Sequence, residues 1–125
     1  MRILVADADS YSRESLASIL ERKGHTVYRA YDGKEALEAA QILRPDAAVL
    51  EVRMPRLSGY DVAKTMRTRS WAHDTVLIAY SEWGRDSDKD LAFEAGFDRH
   101  RSKPADLSTL NFVLDEASRE IGASF

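Results

Sequence analysis

Short apolar runs alternate along the chain with stretches in which apolar residues recur at helical spacing. Each run is bounded by polar or turn-forming residues, which is typical of strands buried inside a sheet. The run at 25–30 is more polar than the others, so we place it nearer an edge of the sheet. The predicted strands are residues 3–6, 25–30, 47–51, 76–79 and 97–100.

The stretches between these runs begin with residues that favour helix N-termini, and glycine or proline ends several of them. The predicted starts are Asp9 or Ser10, Asp32 with Glu35, Ser58 with Asp61, the charged stretch 84–90, and Asp106. The predicted inner faces comprise Leu16, Ile19, Leu20 and Lys23; Ala36, Leu37, Ala40 and Leu43; Val62, Ala63 and Met66; Leu91, Ala92 and Ala95; and Leu107, Leu110, Val113, Leu114, Ala117 and Ile121.

A strand followed by a helix, repeated five times, predicts an α/β fold in which a doubly wound parallel sheet carries helices on both faces. The 125 residues suit one domain with one core, spanning residues 1–125, and this domain can belong to a longer protein. We find no linker and no low-complexity stretch in it.

Composition and charge narrow the function classes. The formal net charge of -3 gives no reason to expect nucleic-acid binding by this domain. The absence of cysteine excludes disulfides, thiol chemistry and thiolate metal sites. The apolar start at Ile3 reaches Asp7 too soon for a signal peptide or a membrane span, so we expect a cytoplasmic protein that does not contact membranes.

The carboxyl ends of the strands carry the candidate chemistry. In an open parallel sheet these ends share one edge, where sites form. Strand one leads to Asp7, strand three to Glu51, strand four to Tyr80 and Ser81, and strand five to Lys103. The sequence therefore predicts that one amine, two carboxylates and two hydroxyls converge there.

The order and spacing of several short motifs resemble the receiver domain of two-component response regulators (CheY-like). These motifs are Ile3-Leu4-Val5-Ala6-Asp7, Gly24-His25-Thr26-Val27, Asp32-Gly33-Lys34-Glu35-Ala36-Leu37, Pro45-Asp46, Met54-Pro55 with Gly59, Ala95-Gly96-Phe97-Asp98 and Lys103-Pro104. The resemblance spans essentially the whole chain. It implies a flavodoxin-like (βα)5 fold with strand order 2-1-3-4-5, and a signalling domain rather than an enzyme.

The resemblance also implies a chemistry for the edge of the sheet. Receivers accept a phosphoryl group on an aspartate after strand three, a carboxylate nucleophile. Two acids after strand one hold Mg²⁺, together with a main-chain carbonyl that corresponds to Arg53. A lysine, matched by Lys103, offsets developing charge, and a small hydroxyl residue after strand four bonds the phosphoryl group.

This chain departs from that pattern at several positions. Glu51 replaces the aspartate, Ala8 replaces the second acid, and Tyr80 replaces the small hydroxyl residue. Ser81 follows where receivers usually carry alanine, and His100 occupies the switch aromatic position, as in some receivers. The first three departures act on the same step, so we expect signalling without conventional phosphorylation.

Our leading interpretation is a degenerate receiver, or pseudo-receiver, in which Glu51 pairs directly with Lys103 and the pair locks one conformation. We expect no required cofactor, and at most weak Mg²⁺ binding through Asp7 and Glu51. The expected partners are proteins: a signalling kinase, an output domain, or a second copy docking on the outer faces of the last two helices.

Two alternatives stay open at this point. The chain can be a working receiver that takes phosphate from a histidine kinase on Glu51 or a neighbouring group. More remotely, it can be a flavodoxin-like domain for a small ligand. The stretch 7–10 opposes this last alternative, because it offers acids where a glycine-rich phosphate loop is needed.

Overall fold

The computed structural model describes residues 1–81 and 86–103. The predicted helix after Asp106, with the partner surface expected on it, lies outside these residues. The elements in chain order are β1 (Arg2–Ala6), α1 (Ser10–Arg22), β2 (Thr26–Ala30), α2 (Gly33–Leu43), β3 (Ala47–Leu50), α3 (Gly59–Arg67), a 3-10 turn (Ser70–Ala72), β4 (Val76–Ser81), α4 (Asp86–Ala95) and β5 (Arg99–Ser102). Among the described helices, none combines the length and apolar character that crossing a membrane requires.

The strands form one parallel sheet in the order β2-β1-β3-β4-β5, which confirms the predicted fold. The register places Ala6 beside Leu50, and Leu50 beside Ala79. The first residues after β1 and β3 therefore lie side by side with the end of β4. This alignment brings the predicted site residues to one edge of the sheet.

The sheet separates two clusters of buried side chains, because neighbouring residues of a strand point to opposite faces. Leu4, Ala6, Leu50 and Leu77 point to the face that α2, α3 and α4 cover. Ile3, Val5, Val49 and Ile78 point to the face that α1 covers. Burial on both faces explains why the central strands consist of continuous apolar residues rather than alternating ones.

The predicted caps start the first three helices. The carboxylate of Asp9 accepts a hydrogen bond from Ser12 N, and that of Asp32 accepts one from Glu35 N. The Ser58 hydroxyl accepts one from Asp61 N. These bonds satisfy amide groups that a helix N-terminus leaves without intrahelical partners.

Two predicted inner faces were partly wrong. Leu91 is 49% exposed, whereas Ala92 and Ala95 are buried. The small side chains of Ala92 and Ala95 bring α4 close to the sheet, and Leu91 lies about 100° away from Ala92 around the helix axis. Ile19 of α1 is only half-buried, and Lys23, which directly follows α1, is exposed. The helical spacing of the apolar residues did not show which of them face the sheet.

The fifth strand begins at Arg99, two residues later than predicted. Asp98 explains the shift, because its main-chain N–H donates to Leu77 O while its carboxylate accepts from Leu77 N. The Asp98 carboxylate thus accepts the hydrogen bond from Leu77 N that a main-chain carbonyl group would accept if the strand began earlier. Phe97, predicted inside the strand, is instead a buried residue of the preceding turn.

We expect Gly59→Ala to destabilise the protein. A Cβ at position 59 would lie 2.4 Å from the main-chain oxygen of Glu51, so the turn after β3 must shift. The expected loss is about 1–3 kcal/mol in free energy of unfolding, measured by urea titration. Helix propensity alone predicts the opposite sign, a gain of about 0.5–1 kcal/mol, so a more stable variant would contradict this prediction. Glu38→Ala, on the exposed side of α2, is the control.

Candidate functional site

The ends of four strands place the predicted site residues at one edge of the sheet. Asp7 follows β1, Glu51 follows β3, Tyr80 lies near the end of β4, and Lys103 follows β5. Asp7 and Glu51 are 4% and 7% exposed, so both carboxylates are largely shielded from water. Two buried acids side by side need a compensating positive charge.

Lys103 supplies that charge. Its Nζ lies 2.5 Å from Asp7 Oδ2 and 2.6 Å from Glu51 Oε2. The main-chain N–H of Lys103 donates to Ser81 O, which continues the pairing of β4 with β5 and directs the side chain across the sheet edge. We call Asp7, Glu51 and Lys103 the acid–lysine cluster.

Main-chain amides hold the other oxygen of each carboxylate. Asp7 Oδ1 accepts from the amide of Asp9 at 2.9 Å, and Glu51 Oε1 accepts from the amide of Arg53 at 3.2 Å. Glu51 Oε2 accepts no hydrogen bond from any other residue in the described part of the chain, so the ammonium group is its partner there. Each acid is therefore held between an amide and the lysine.

The acids also control the protonation of Lys103. Burial acts to lower the pKa of this lysine, but the hydrogen bonds and negative charges of Asp7 and Glu51 outweigh burial and raise the pKa above its ordinary value. The ammonium form is therefore present throughout the physiological range. The stability that the ammonium group contributes is fully present at pH values below the ordinary lysine pKa. It is lost only as the pH rises through the higher pKa of Lys103 in the folded protein. Lys103 thus acts as a fixed cation, not as a base.

Tyr80 packs against this cation. Lys103 Nζ lies 5.4 Å from the centroid of the Tyr80 ring, within the range of a cation–π contact. The side chain of Tyr80 is largely buried in the cluster on the α1 face of the sheet. A large ring thus lies beside the lysine, where the resemblance leads one to expect a small hydroxyl side chain.

The other predicted switch residues point to the opposite face of the sheet. Ser81 and His100 are buried, and Ser81 Oγ lies 3.2 Å from His100 Nε2. Alternation along β4 directs Ser81 away from the face of Tyr80, and the register pairs His100 with Ala79. The structure therefore brings Tyr80 to the acid–lysine cluster and separates Ser81 and His100 from it as a buried pair.

The residues present do not fit a Mg²⁺ site of the receiver type. Ala8 offers no ligand, and the Asp9 carboxylate accepts from Ser12 N and Ser12 Oγ at the start of α1. Within residues 1–81 and 86–103, no group of three acidic or histidine side chains is arranged to hold a metal. The two remaining carboxylates already share one ammonium group. The described residues therefore offer fewer ligands than the receiver pattern, in which a second acid after strand one also holds Mg²⁺.

Arg13 is the site residue that sequence reasoning missed. This residue of α1 is 7% exposed, and its Nη1 donates to the main-chain oxygen of Asp7 at 3.0 Å. A signal for it exists in the sequence, because Arg13 precedes Leu16 by three residues and Ala17 by four, which places it on the apolar face of the helix. Arg53, in contrast, has an exposed side chain and meets the cluster through its main-chain amide.

Comparisons with known proteins identify the family of the chain. The family model described as "Response regulator receiver domain" matches residues 3–115. The response regulator MprA of Mycobacterium ulcerans is 41% identical over 110 residues, covering 88% of this chain and 47% of the relative. The response regulator RR06 of Streptococcus pneumoniae is 37% identical over 110 residues, covering 88% and 49%. The chain therefore spans about half the length of the curated relatives it matches.

Solved structures give the same result. The chemotaxis protein CheY4 of Vibrio cholerae superposes with a TM-score of 0.87 at 27% identity, covering 93% of this chain and 97% of that chain. A "putative response regulator" of Chloroflexus aurantiacus superposes with a TM-score of 0.88 at 28% identity, covering 93% of this chain and 95% of that chain. Sequence and fold lead to one family.

Proposed function

Since the chain belongs to the family of response regulator receiver domains, we propose that it is an atypical receiver that works without conventional phosphorylation. In this proposal Glu51 is a permanent charge in a former phosphorylation pocket. The output is a change of protein partner rather than a covalent modification. The acid–lysine cluster is the feature of the chain that supports this proposal most directly.

One contact carries the proposal: Lys103 Nζ lies between Glu51 Oε2 and Asp7 Oδ2, at 2.6 and 2.5 Å. A nucleophilic carboxylate must be free to attack an incoming phosphoryl group. Here the ammonium group is paired with Glu51, and the longer glutamate side chain displaces the carboxylate by roughly one bond, over 1 Å, from where an aspartate would place it. Misplacement on that scale can cost about a hundredfold in rate.

The surroundings of the cluster support the same proposal. The Tyr80 ring, 5.4 Å from Lys103 Nζ, takes up space beside the lysine. Receivers use a metal ion to offset the charge of an incoming phosphoryl group. Because Ala8 replaces the second acid, that metal ion would lack one of its ligands here. Because these features oppose a single chemical step, we propose that the ion pair replaces the phosphorylation switch and holds one conformation.

Exposed apolar residues on α4 support the proposal that the chain binds protein partners. Leu91 is 49% exposed, and Phe93 on the same helix is also exposed. We propose that this helix contributes to contacts with a signalling kinase, an output domain or a second copy of the chain. The formal net charge of -3 supports a protein partner over nucleic acid.

We expect no phosphoryl adduct on this protein under conditions that phosphorylate ordinary receivers. The experiment incubates it with Mg²⁺ and acetyl phosphate and measures the intact mass over time. An ordinary receiver treated in parallel shows that the phosphodonor is active. Because Glu51 is paired with Lys103 and displaced, we expect the fraction modified to be at least about a hundredfold below that of the ordinary receiver.

A second candidate function remains worth testing, since Asp7 and Lys103 still form half of a receiver site. A working receiver would give a stoichiometric adduct in this experiment. If the adduct disappeared in Glu51→Gln, the proposal of phosphorylation-independent signalling would be wrong. An adduct that persisted in Glu51→Gln would place the acceptor on a neighbouring group and would equally overturn it.

A further inference from the structure

We propose that Arg13 is a positioning residue, which fixes the turn carrying Asp7 and thereby holds the acid–lysine cluster together. Its guanidinium group lies between the main-chain oxygen of Asp7 and the ring of Tyr31. The inference rests on the proposed function, because it names what keeps Asp7 where the ion pair requires it.

A buried guanidinium group is costly unless its charge and its N–H groups are satisfied. Arg13 is 7% exposed, yet it has three compensating contacts. Nη1 donates to Asp7 O at 3.0 Å, and Nε donates to Glu14 Oε2 at 3.2 Å. Cζ lies 4.2 Å from the centroid of the Tyr31 ring, a close cation–π contact. The first half of α1 thus provides a buried cation that contacts the end of β1.

The contact with Asp7 O acts on the main chain of the site rather than on its side chains. The turn from β1 to α1 is held on one side by Asp7 N, which donates to Ala30 O at 3.1 Å. On the other side, Asp9 N donates to Asp7 Oδ1 at 2.9 Å. Arg13 holds the remaining polar group of Asp7, its carbonyl oxygen. Releasing it would free the turn to rotate and would withdraw Asp7 Oδ2 from Lys103.

Ion pairs on the surface orient Glu14 and, through it, Arg13. Arg29 Nε lies 2.8 Å from Glu14 Oε1, and Arg29 Nη2 lies 2.7 Å from Glu21 Oε1. Exposed pairs of this kind contribute little stability individually. Their effect here is geometric, because they hold Glu14 on the side of α1 that faces β2. Arg13 thereby links this surface to the acid–lysine cluster.

The test replaces Arg13 with an apolar side chain of similar length, Arg13→Met, and measures exchange of individual amide protons with water by NMR. We expect the Asp9 amide to exchange about tenfold faster, because a hydrogen bond from a charged donor to Asp7 O is lost. We expect the Lys103 ammonium resonance to broaden as its contact with Asp7 weakens. Amides inside α1, such as that of Leu20, keep their exchange rates.

Arg22→Met is the matched control, since it removes the same charge from the exposed last turn of the same helix. It should leave Asp9 and Lys103 unchanged. A merely structural role for Arg13 would accelerate Leu20 and Asp9 by the same factor, and this result would overturn the proposal. Unchanged exchange at Asp9 in Arg13→Met would overturn it as well.

Tyr31→Leu keeps the proposal falsifiable if Arg13→Met does not fold. The Tyr31 ring is half exposed, so its loss is tolerated, but the guanidinium group of Arg13 loses its cation–π contact. We expect about threefold faster exchange at Asp9, and an unchanged rate would overturn the proposal. A phosphoryl adduct on the unmodified protein would instead contradict the proposed function and leave these exchange results standing.

Discussion

Lys103→Met is expected to lower the free energy of unfolding by about 3–5 kcal/mol, a large fraction of the stability of a domain of this size. The variant leaves Asp7 and Glu51 facing each other without a cation. Both carboxylates are less than a tenth exposed, so water cannot replace the ammonium group. Urea titration at neutral pH measures the loss.

Two controls show whether the effect belongs to the cluster. Lys34→Met removes an exposed lysine from α2 and should change stability by no more than about 0.5 kcal/mol. Adding Glu51→Gln to Lys103→Met removes one of the two unpaired charges and should recover part of the loss. A cost below about 1 kcal/mol for Lys103→Met would show that the cluster is solvated, contrary to its burial.

The combined variant Ala8→Asp, Glu51→Asp and Tyr80→Thr is expected to gain Mg²⁺-dependent phosphorylation. The three changes restore the second acid, the shorter nucleophile and the small hydroxyl side chain around a lysine that is already in place. We expect a near-stoichiometric phosphoryl adduct from acetyl phosphate, at least about a hundredfold more than the unmodified protein forms. Intact mass with and without Mg²⁺ measures the gain.

The matched control keeps Ala8→Asp and Tyr80→Thr and replaces Glu51 with Asn, so that the restored pocket lacks a nucleophile. It should form no adduct. If the combined variant folds and remains unmodified, our account of the three replaced positions is incomplete, and some other feature of the pocket prevents phosphorylation. Single reversions should be nearly inactive, because the three groups act on one step.

Much of the fold was predictable because its signals are local. Continuous apolar runs indicated strands buried on both faces, and Asp9, Asp32 and Ser58 indicated helix starts that the structure confirms. The predictions that were wrong also have physical reasons. Leu91 satisfies a helical period and is nonetheless exposed, since the period does not say which side of the stripe meets the sheet. The start of β5 depends on the Asp98 side chain, which strand propensity does not describe.

The candidate site was predictable in position but not in its contacts. The ends of parallel strands share an edge, so Asp7, Glu51 and Tyr80 were expected to lie near Lys103. Ser81 was grouped with them, and the structure places its side chain on the other face of the sheet, beside His100. Arg13 was missed because its place on the apolar face of the helix predicts burial but does not identify the atoms that its guanidinium group contacts.

By itself, the sequence determined the fold class, the edge of the sheet where the site lies, and the replacement of three groups there. Periodicity and residue identity suffice for these. Only the tertiary structure decided that one lysine satisfies both acids and that Arg13 holds the turn behind Asp7. Asp7 and Lys103 are 96 positions apart along the chain. Their 2.5 Å contact depends on how β1 and β5 are placed across the whole sheet, which no local pattern encodes.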